Sequence, residues 1–170
     1  RIVSKNGNCF SVSGPIQSFT TRTIPDLNVS NIQSPSSVFS GQNMLISWQV
    51  NNIGLGGTGS TQWTDAVYLS LDTIYQPFDI YVGGSSSVSA LTSGQSYNNS
   101  KTYTVPNSVS GNYYLIIVAD KFQQLLESNE INNSAVSSSP ITISIPPYPD
   151  LRVQSVVTPN NAFSGDTVSI

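Results

Sequence analysis

Asn43-Met44-Leu45-Ile46-Ser47-Trp48-Gln49-Val50 sets the apolar residues Met44, Ile46, Trp48 and Val50 in alternation with Ser47 and Gln49. A period of two sends successive side chains to opposite faces of a strand, so this stretch reads as a β-strand with one buried face. Gly41 announces it. Gly54, Gly56, Gly57 and Gly59, between Asn51 and Ser60, follow it as a loop and are expected to be turn formers.

The same reading extends in both directions. Leu27 to Ile32 is the strand before, and Thr64 to Ser70 the strand after. Asp79 to Val82 is a short fourth, ended by Gly83-Gly84; Ser87 to Leu91 is a fifth, ended by Ser93-Gly94; Ser100 to Val105 is a sixth. Tyr113 to Ala119 carries apolar side chains on both faces, which predicts a central strand or one whose outer face is covered. Ile141 to Ile145 closes the series. No sustained 3.6-residue period appears; Lys121 to Ile131 comes nearest but is short. Evenly spaced strands and turns predict an all-β, two-sheet β-sandwich, because each sheet has one apolar face to cover.

The organisation comes from a repeat. Pro25-Asp26-Leu27-Asn28-Val29 returns as Pro149-Asp150-Leu151-Arg152-Val153, and the match runs without a gap to Ile46 and Ile170. Nine of the 22 aligned positions are identical, including Pro35/Pro159 and Phe39-Ser40-Gly41/Phe163-Ser164-Gly165. The expectation is one whole module over residues 25–145, cut from a tandem array, with residues 150–170 starting the next repeat. Residues 146–149, Pro146-Pro147-Tyr148-Pro149, form a short semi-rigid linker. Residues 1–24 are the C-terminal end of a preceding β domain or a linker. The turn signal Ser4-Lys5-Asn6-Gly7-Asn8 and the stretches around Cys9-Phe10-Ser11-Val12 and Ser18-Phe19-Thr20-Thr21 weakly resemble the last hairpin of a fibronectin type III-like module. Asp26 and Asp150 recur at the joins, where an aspartate either caps a turn or serves as an interdomain metal ligand.

Composition narrows the function. The 170 residues hold six Lys plus Arg, nine Asp plus Glu and no His, for a net charge of -3. So few basic groups argue against nucleic acid and against anionic membranes as partners. No run approaches the roughly 18 apolar residues of a membrane span, so direct membrane insertion is not expected. The single cysteine, Cys9, lies outside the module, which therefore has no disulfide staple. Without His, and with Cys9 outside, the module lacks Ser-His-Asp and Cys-His machinery and His/Cys zinc sites, and it is not expected to be an enzyme.

The acids cluster. Asp65, Asp72 and Asp79 form one group; Asp120, Glu127 and Glu130 form a second, with Lys121 the one nearby base. Such oxygen ligands suit calcium, although the linear pattern is not an EF-hand and a site would have to assemble across loops. Asp72, Asp79, Glu127 and Glu130 are the expected ligands because they sit in connections; Asp65 heads a strand and is expected to make a turn or ladder contact. In the competing reading the acids, with Asn129, Asn132 and Asn133, satisfy turn backbone groups. Trp48 is expected in the core and Trp63 over an edge, while Tyr75, Phe78 and Tyr81 bracket the first acidic loop and could stack on sugar.

Taken together, these residues resemble the bacterial cell-adhesion-related domain CARDB. The matching parts are Pro25-Asp26-Leu27, Phe39-Ser40-Gly41, Ser47 to Gly54, Trp63 to Asp72, Gly111 to Leu115, and above all Glu127-Ser128-Asn129-Glu130-Ile131-Asn132-Asn133. The resemblance implies an immunoglobulin-like sandwich from a large secreted or cell-surface bacterial protein. It implies a structural or adhesive repeat, a stalk or spacer, whose partners are neighbouring modules of the same chain. The alternative is a glycan- or protein-binding module, with calcium at its loops or as an accessory to an extracellular enzyme. The family supplies no catalytic residues to carry over.

Overall fold

The computed structural model describes residues 3–5, 11–13, 22–59, 62–87, 89–157, 160–161 and 163–167. In the leading segment β1 (Val3–Lys5) pairs antiparallel with β2 (Ser11–Ser13). The turn expected at Asn6 to Asn8, Cys9, and the stretch Ser18 to Thr21 lie outside the described residues.

Two sheets then face each other. The smaller is β3 (Leu27–Gln33), β5 (Asn43–Asn52) and β8 (Ser96–Thr104), antiparallel, with β5 central. The larger runs β4 (Ser37–Phe39), β11 (Ile141–Ser144), β9 (Gly111–Val118), β6 (Thr64–Ser70) and β7 (Ile80–Ser86). The short β10 (Ser134–Val136) pairs with the end of β9, on the same side where β11 pairs with its start. Among the described residues only β4 with β11 is parallel. The first strand is thus divided: β3 joins one sheet, a bulge where Asn31 takes φ 53° shifts the register, and β4 crosses to the other.

The alternation in β5 is realised. Met44, Ile46, Trp48 and Val50 are buried, and they meet Val67, Leu69, Leu115, Ile117, Ile141 and Ile143 from the facing sheet. Leaving water on both sides of this layer is the main favourable contribution to the fold. Trp63, expected over an edge, is only 1% exposed and belongs to the core, its ring 5.9 Å from that of Tyr97. The outer face of β6 and β9 is covered too. The 71–79 loop folds back over it and seats Tyr75 against Ala66, Tyr68, Ile116 and Val118, which explains why both faces of those strands are apolar.

Several boundaries differ from the sequence expectation. Gly83-Gly84 lies inside β7 rather than ending it. A Cβ on Gly83 would stand 2.7 Å from the Tyr103 ring of the other sheet, so the glycine is there to admit that ring. Gly83→Ala is therefore expected to cost about 1–3 kcal/mol by overpacking, measured by urea unfolding, and Tyr103→Leu should relieve part of that loss. No strand forms at Ser87 to Leu91 among the described residues, although Leu91 is buried from its loop position. The three-residue strands β4 and β10 are too short to show a period. Lys121 to Ile131 is turns and bends, and the described residues contain no helix, hence none that could cross a membrane.

Candidate functional site

The polar residues gather at one pole of the sandwich, where β3 begins, β5 ends and the β9–β10 loop crosses between sheets. Asn52 continues the inward phase of β5 and is 1% exposed. Its Oδ1 accepts from the N–H of Asp26 at 3.1 Å and of Gly54 at 3.1 Å, while Nδ2 donates to the carbonyls of Gly56 at 2.8 Å and Leu91 at 3.3 Å. One side chain thus ties the lead-in to β3, the β5–β6 loop and the β7–β8 loop. Asn52→Ala is expected to lower stability by about 2–4 kcal/mol in denaturant unfolding, because it strips partners from buried main-chain groups. Gly54 and Gly56 serve the same junction. They have no positive φ; instead a Cβ on either would fall 2.5 Å or less from main-chain atoms of Thr23 to Asp26. They are close-approach glycines rather than the turn formers expected.

The Glu127 to Asn133 loop closes over this junction as a latch. Glu127 is 5% exposed; its Oε2 accepts the Leu27 N–H and its Oε1 accepts from Asn133 Nδ2 at 2.8 Å. The Ser128 N–H donates to the Pro25 carbonyl at 2.9 Å. Asp26 receives Ser128 Oγ at 3.1 Å and Asn132 Nδ2 at 2.8 Å. Both donors are side chains about a hundred residues away, so the Asp26 carboxylate makes a tertiary tie to the latch and not the turn cap expected. Burial raises the Glu127 pKa to about 7, against the hydrogen bonds from Leu27 and Asn133 that favour its anion, with the charges of Glu130 and Asp120 adding to the rise.

Deeper in, Asp65 is fully buried between the sheets. Its Oδ2 accepts from Trp48 Nε1 at 3.0 Å and from Tyr97 Oη at 2.6 Å. It is a cross-sheet contact, not the turn or ladder contact expected. Burial pushes its pKa up, opposed by the Tyr97 and Trp48 hydrogen bonds. Asp120, at φ 42°, folds its own turn by accepting the N–H groups of Gln124 at 2.8 Å and Leu125 at 2.7 Å, and burial raises its pKa as well. These buried carboxylates are spent on main-chain and ring N–H or O–H donors, an arrangement that builds structure and not hydrolytic chemistry.

The four expected metal ligands fall into two places. Asp72 and Asp79 lie in the 71–79 loop and line a small cavity of about 130 Å³ with Phe78 and Tyr113. Asp72 Oδ1 accepts the Ile74 N–H and Asp79 Oδ2 the Gln76 N–H, each at 2.8 Å. Glu127 is buried in the latch, and Glu130, whose Oε1 accepts the Glu127 N–H at 3.0 Å, lines a different cavity of about 400 Å³ with Tyr75, Lys121 and Asn133. Among the described residues no group of three or more His, Cys, Asp or Glu side chains is placed to hold one metal ion.

An immunoglobulin-like sandwich with a latched pole is the class of domain these features define. Comparison with known proteins places it: a sequence model of the CARDB family matches residues 24–137, and the chain belongs to that family. No curated protein matches it. The solution structure of the CARDB domain of a Pyrococcus furiosus protein is similar at TM-score 0.52 and 18% identity, covering 74% of this chain and 100% of that one. The crystal structure of that archaeal domain in complex with di-metal ions gives TM-score 0.48 at 20% identity, covering 75% and 100%. β-Glucosidase 3B from Thermotoga neapolitana, in complex with α-D-glucose, gives TM-score 0.43 at 15% identity over 66% of this chain and 16% of the enzyme. At these identities the likeness is one of fold.

Proposed function

We propose that this chain is a non-catalytic accessory module of a secreted or surface-exposed bacterial protein, holding apart what precedes and follows it and presenting its loops to a glycan or protein partner. The observation that carries this is that the chain enters and leaves at opposite poles. Leu27 pairs with Asn52 at the latched pole. At the other pole β11 ends with Ser144 beside Phe39, and the Ser144 carbonyl accepts the Ser40 N–H at 2.9 Å. The ten-residue β5 spans the two poles, and its nine steps put them about 30 Å apart. Neighbours joined at such poles touch only end to end.

Excision tests the reading. Removing residues 25–145 from the protein should leave the folding and intrinsic activity of its other parts unchanged and reduce attachment to an insoluble glycan or cell surface several-fold. Attachment equal to that of the intact protein would refute the proposal. The repeated Pro-Asp-Leu motif favours a second reading, a stalk repeat. In that case the isolated chain binds no surface, yet excision still weakens attachment by shortening reach.

A further inference from the structure

The outer face of the smaller sheet is polar and carries no charge. Asn28 and Ser30 alternate with the buried Leu27 and Val29 in β3, Gln49 and Asn51 with Trp48 and Val50 in β5, and Ser96 and Asn98 flank the buried Tyr97 in β8. The pairing register sets these outward side chains in two rows across the sheet: Asn28, Asn51 and Ser96 in one, Ser30, Gln49 and Asn98 in the other. Ser47 beside Ser100 extends the grid, and Leu45 beside Thr102 ends it with one apolar side chain. Neighbours stand about 4.8 Å apart across the strands and about 6.8 Å apart along them.

The side chains of this grid hold one another in place. Asn51 Nδ2 donates to Asn28 Oδ1 at 2.8 Å and to Ser30 Oγ at 3.0 Å. Ser30 Oγ donates to Gln49 Oε1 at 3.2 Å, and Gln49 Nε2 donates to Ser96 Oγ at 3.4 Å. The network thus crosses all three strands. It orders the amides beforehand, so a ligand does not bear the entropy cost of fixing them. These bonds use only part of the two donor and two acceptor positions that each amide carries.

We infer that this face binds a neutral, hydroxyl-rich polysaccharide; the inference rests on the accessory reading and names a surface and a ligand class for it. Charge decides between occupants. A protein partner, about a quarter of whose residues are ordinarily charged, would lay charges on a face that offers no counter-charge and would strip them of water. An apolar surface would cover the amides without replacing their bonds to water. A neutral polysaccharide does neither, because its hydroxyls donate and accept as the amides do. None of these outward positions carries an aromatic ring on which a sugar could stack. Single sugar units are therefore held weakly, and the grip comes from several rows acting on one chain. Long chains bind and short ones do not. The rival surface is the outer face of the larger sheet, where Tyr81 is 55% exposed beside Tyr68 and stacking would need no amide grid.

Affinity electrophoresis of the whole chain in native gels tests the inference. The probes are three uncharged soluble polysaccharides, a mixed-linkage β-glucan, a galactomannan and an arabinoxylan, with polygalacturonate as the charged control. The expected result is retardation by at least one uncharged probe, not relieved by the matching disaccharide. Gln49→Ala and Asn98→Ala, each checked for unchanged melting, should weaken the retardation roughly fivefold, the effect of one lost hydrogen bond. Asn98→Glu, which brings a charge to the exposed edge of the grid, should weaken it further, and Tyr81→Ala should leave it unchanged. If Gln49→Ala does not fold, the two Asn98 variants decide. The inference is overturned by passage unhindered through all three uncharged probes, by Asn98 variants retarded as fully as the unmodified chain, or by retardation that disappears with Tyr81→Ala. The accessory role is judged apart, by excision: attachment lost on excision without retardation in the gels sinks the surface named here and leaves the role standing.

Discussion

Asp65→Ala is expected to lower stability by roughly 2–5 kcal/mol, the largest loss from any single truncation of a polar side chain in this domain. The substitution strands two buried donors, Trp48 Nε1 and Tyr97 Oη, which share the Oδ2 atom. Each donor left dry costs about 1–3 kcal/mol, and the methyl group cannot fill the space. Asp65→Asn keeps one carbonyl acceptor and should cost less, about 1–2 kcal/mol. The pH dependence separates charge from geometry. Burial raises the Asp65 pKa in the folded state, so its stabilising contribution is complete below the unfolded value and is lost as pH rises through the folded one. The deficit of Asp65→Ala relative to the unmodified chain should therefore shrink in urea titrations as pH is raised above the ordinary carboxylate range. A deficit that grows instead would show that the anion stabilises the core.

How far the sequence speaks can be argued from the same strands. A period of two in β5 was enough to place Trp48 and Val50 inward, and with them the sandwich. Carried one step further, the same period places Asn52 inward as well. The polar side chain and the following glycines made the strand seem to stop at Val50, yet it runs to Asn52. What hid the role of Gly54 and Gly56 is long-range: they yield to main chain some thirty residues earlier, and local turn chemistry offers the same glycines for a different reason. Gly83 was hidden in the same way by Tyr103. Asp65 looked like a strand-start residue because a carboxylate between two apolar sheets is costly unless donors reach it, and its donors come from other strands. The acidic clusters were legible as clusters but not as contacts. Whether such groups share an ion or cap separate turns depends on loop paths, which no local pattern encodes.

Glu127 gives the second large effect, because it is at once buried and titratable near neutrality. Its folded pKa of about 7 lies above the ordinary value of 4.5, so the folded state holds the proton over a window in which the unfolded state has released it. The stabilisation present below about pH 4.5 is then lost as pH rises through about 7. Asp65 and Asp120, both raised by burial, act in the same direction. The melting temperature is expected to fall between pH 5 and pH 8 by on the order of 5 °C, the reverse of a domain held by surface ion pairs. Glu127→Gln should flatten most of this slope without unlatching the pole. The glutamine carbonyl can still take the Leu27 N–H, and its amide can donate to Asn133, whose buried Oδ1 has no hydrogen-bond partner and whose amide can turn to present it. Glu127→Ala removes both contacts and should cost about 2–4 kcal/mol at pH 5, with the Leu27 amide exchanging faster. A pH profile for Glu127→Gln as steep as that of the unmodified chain would assign the slope to Asp65 and Asp120 instead. The latch would then be a fixed clasp, indifferent to the acidity of its surroundings. With the expected profile the domain gains stability as the surroundings acidify, because the proton relieves the cost of burying the Glu127 charge, which outweighs the hydrogen bonds from Leu27 and Asn133 that favour the anion.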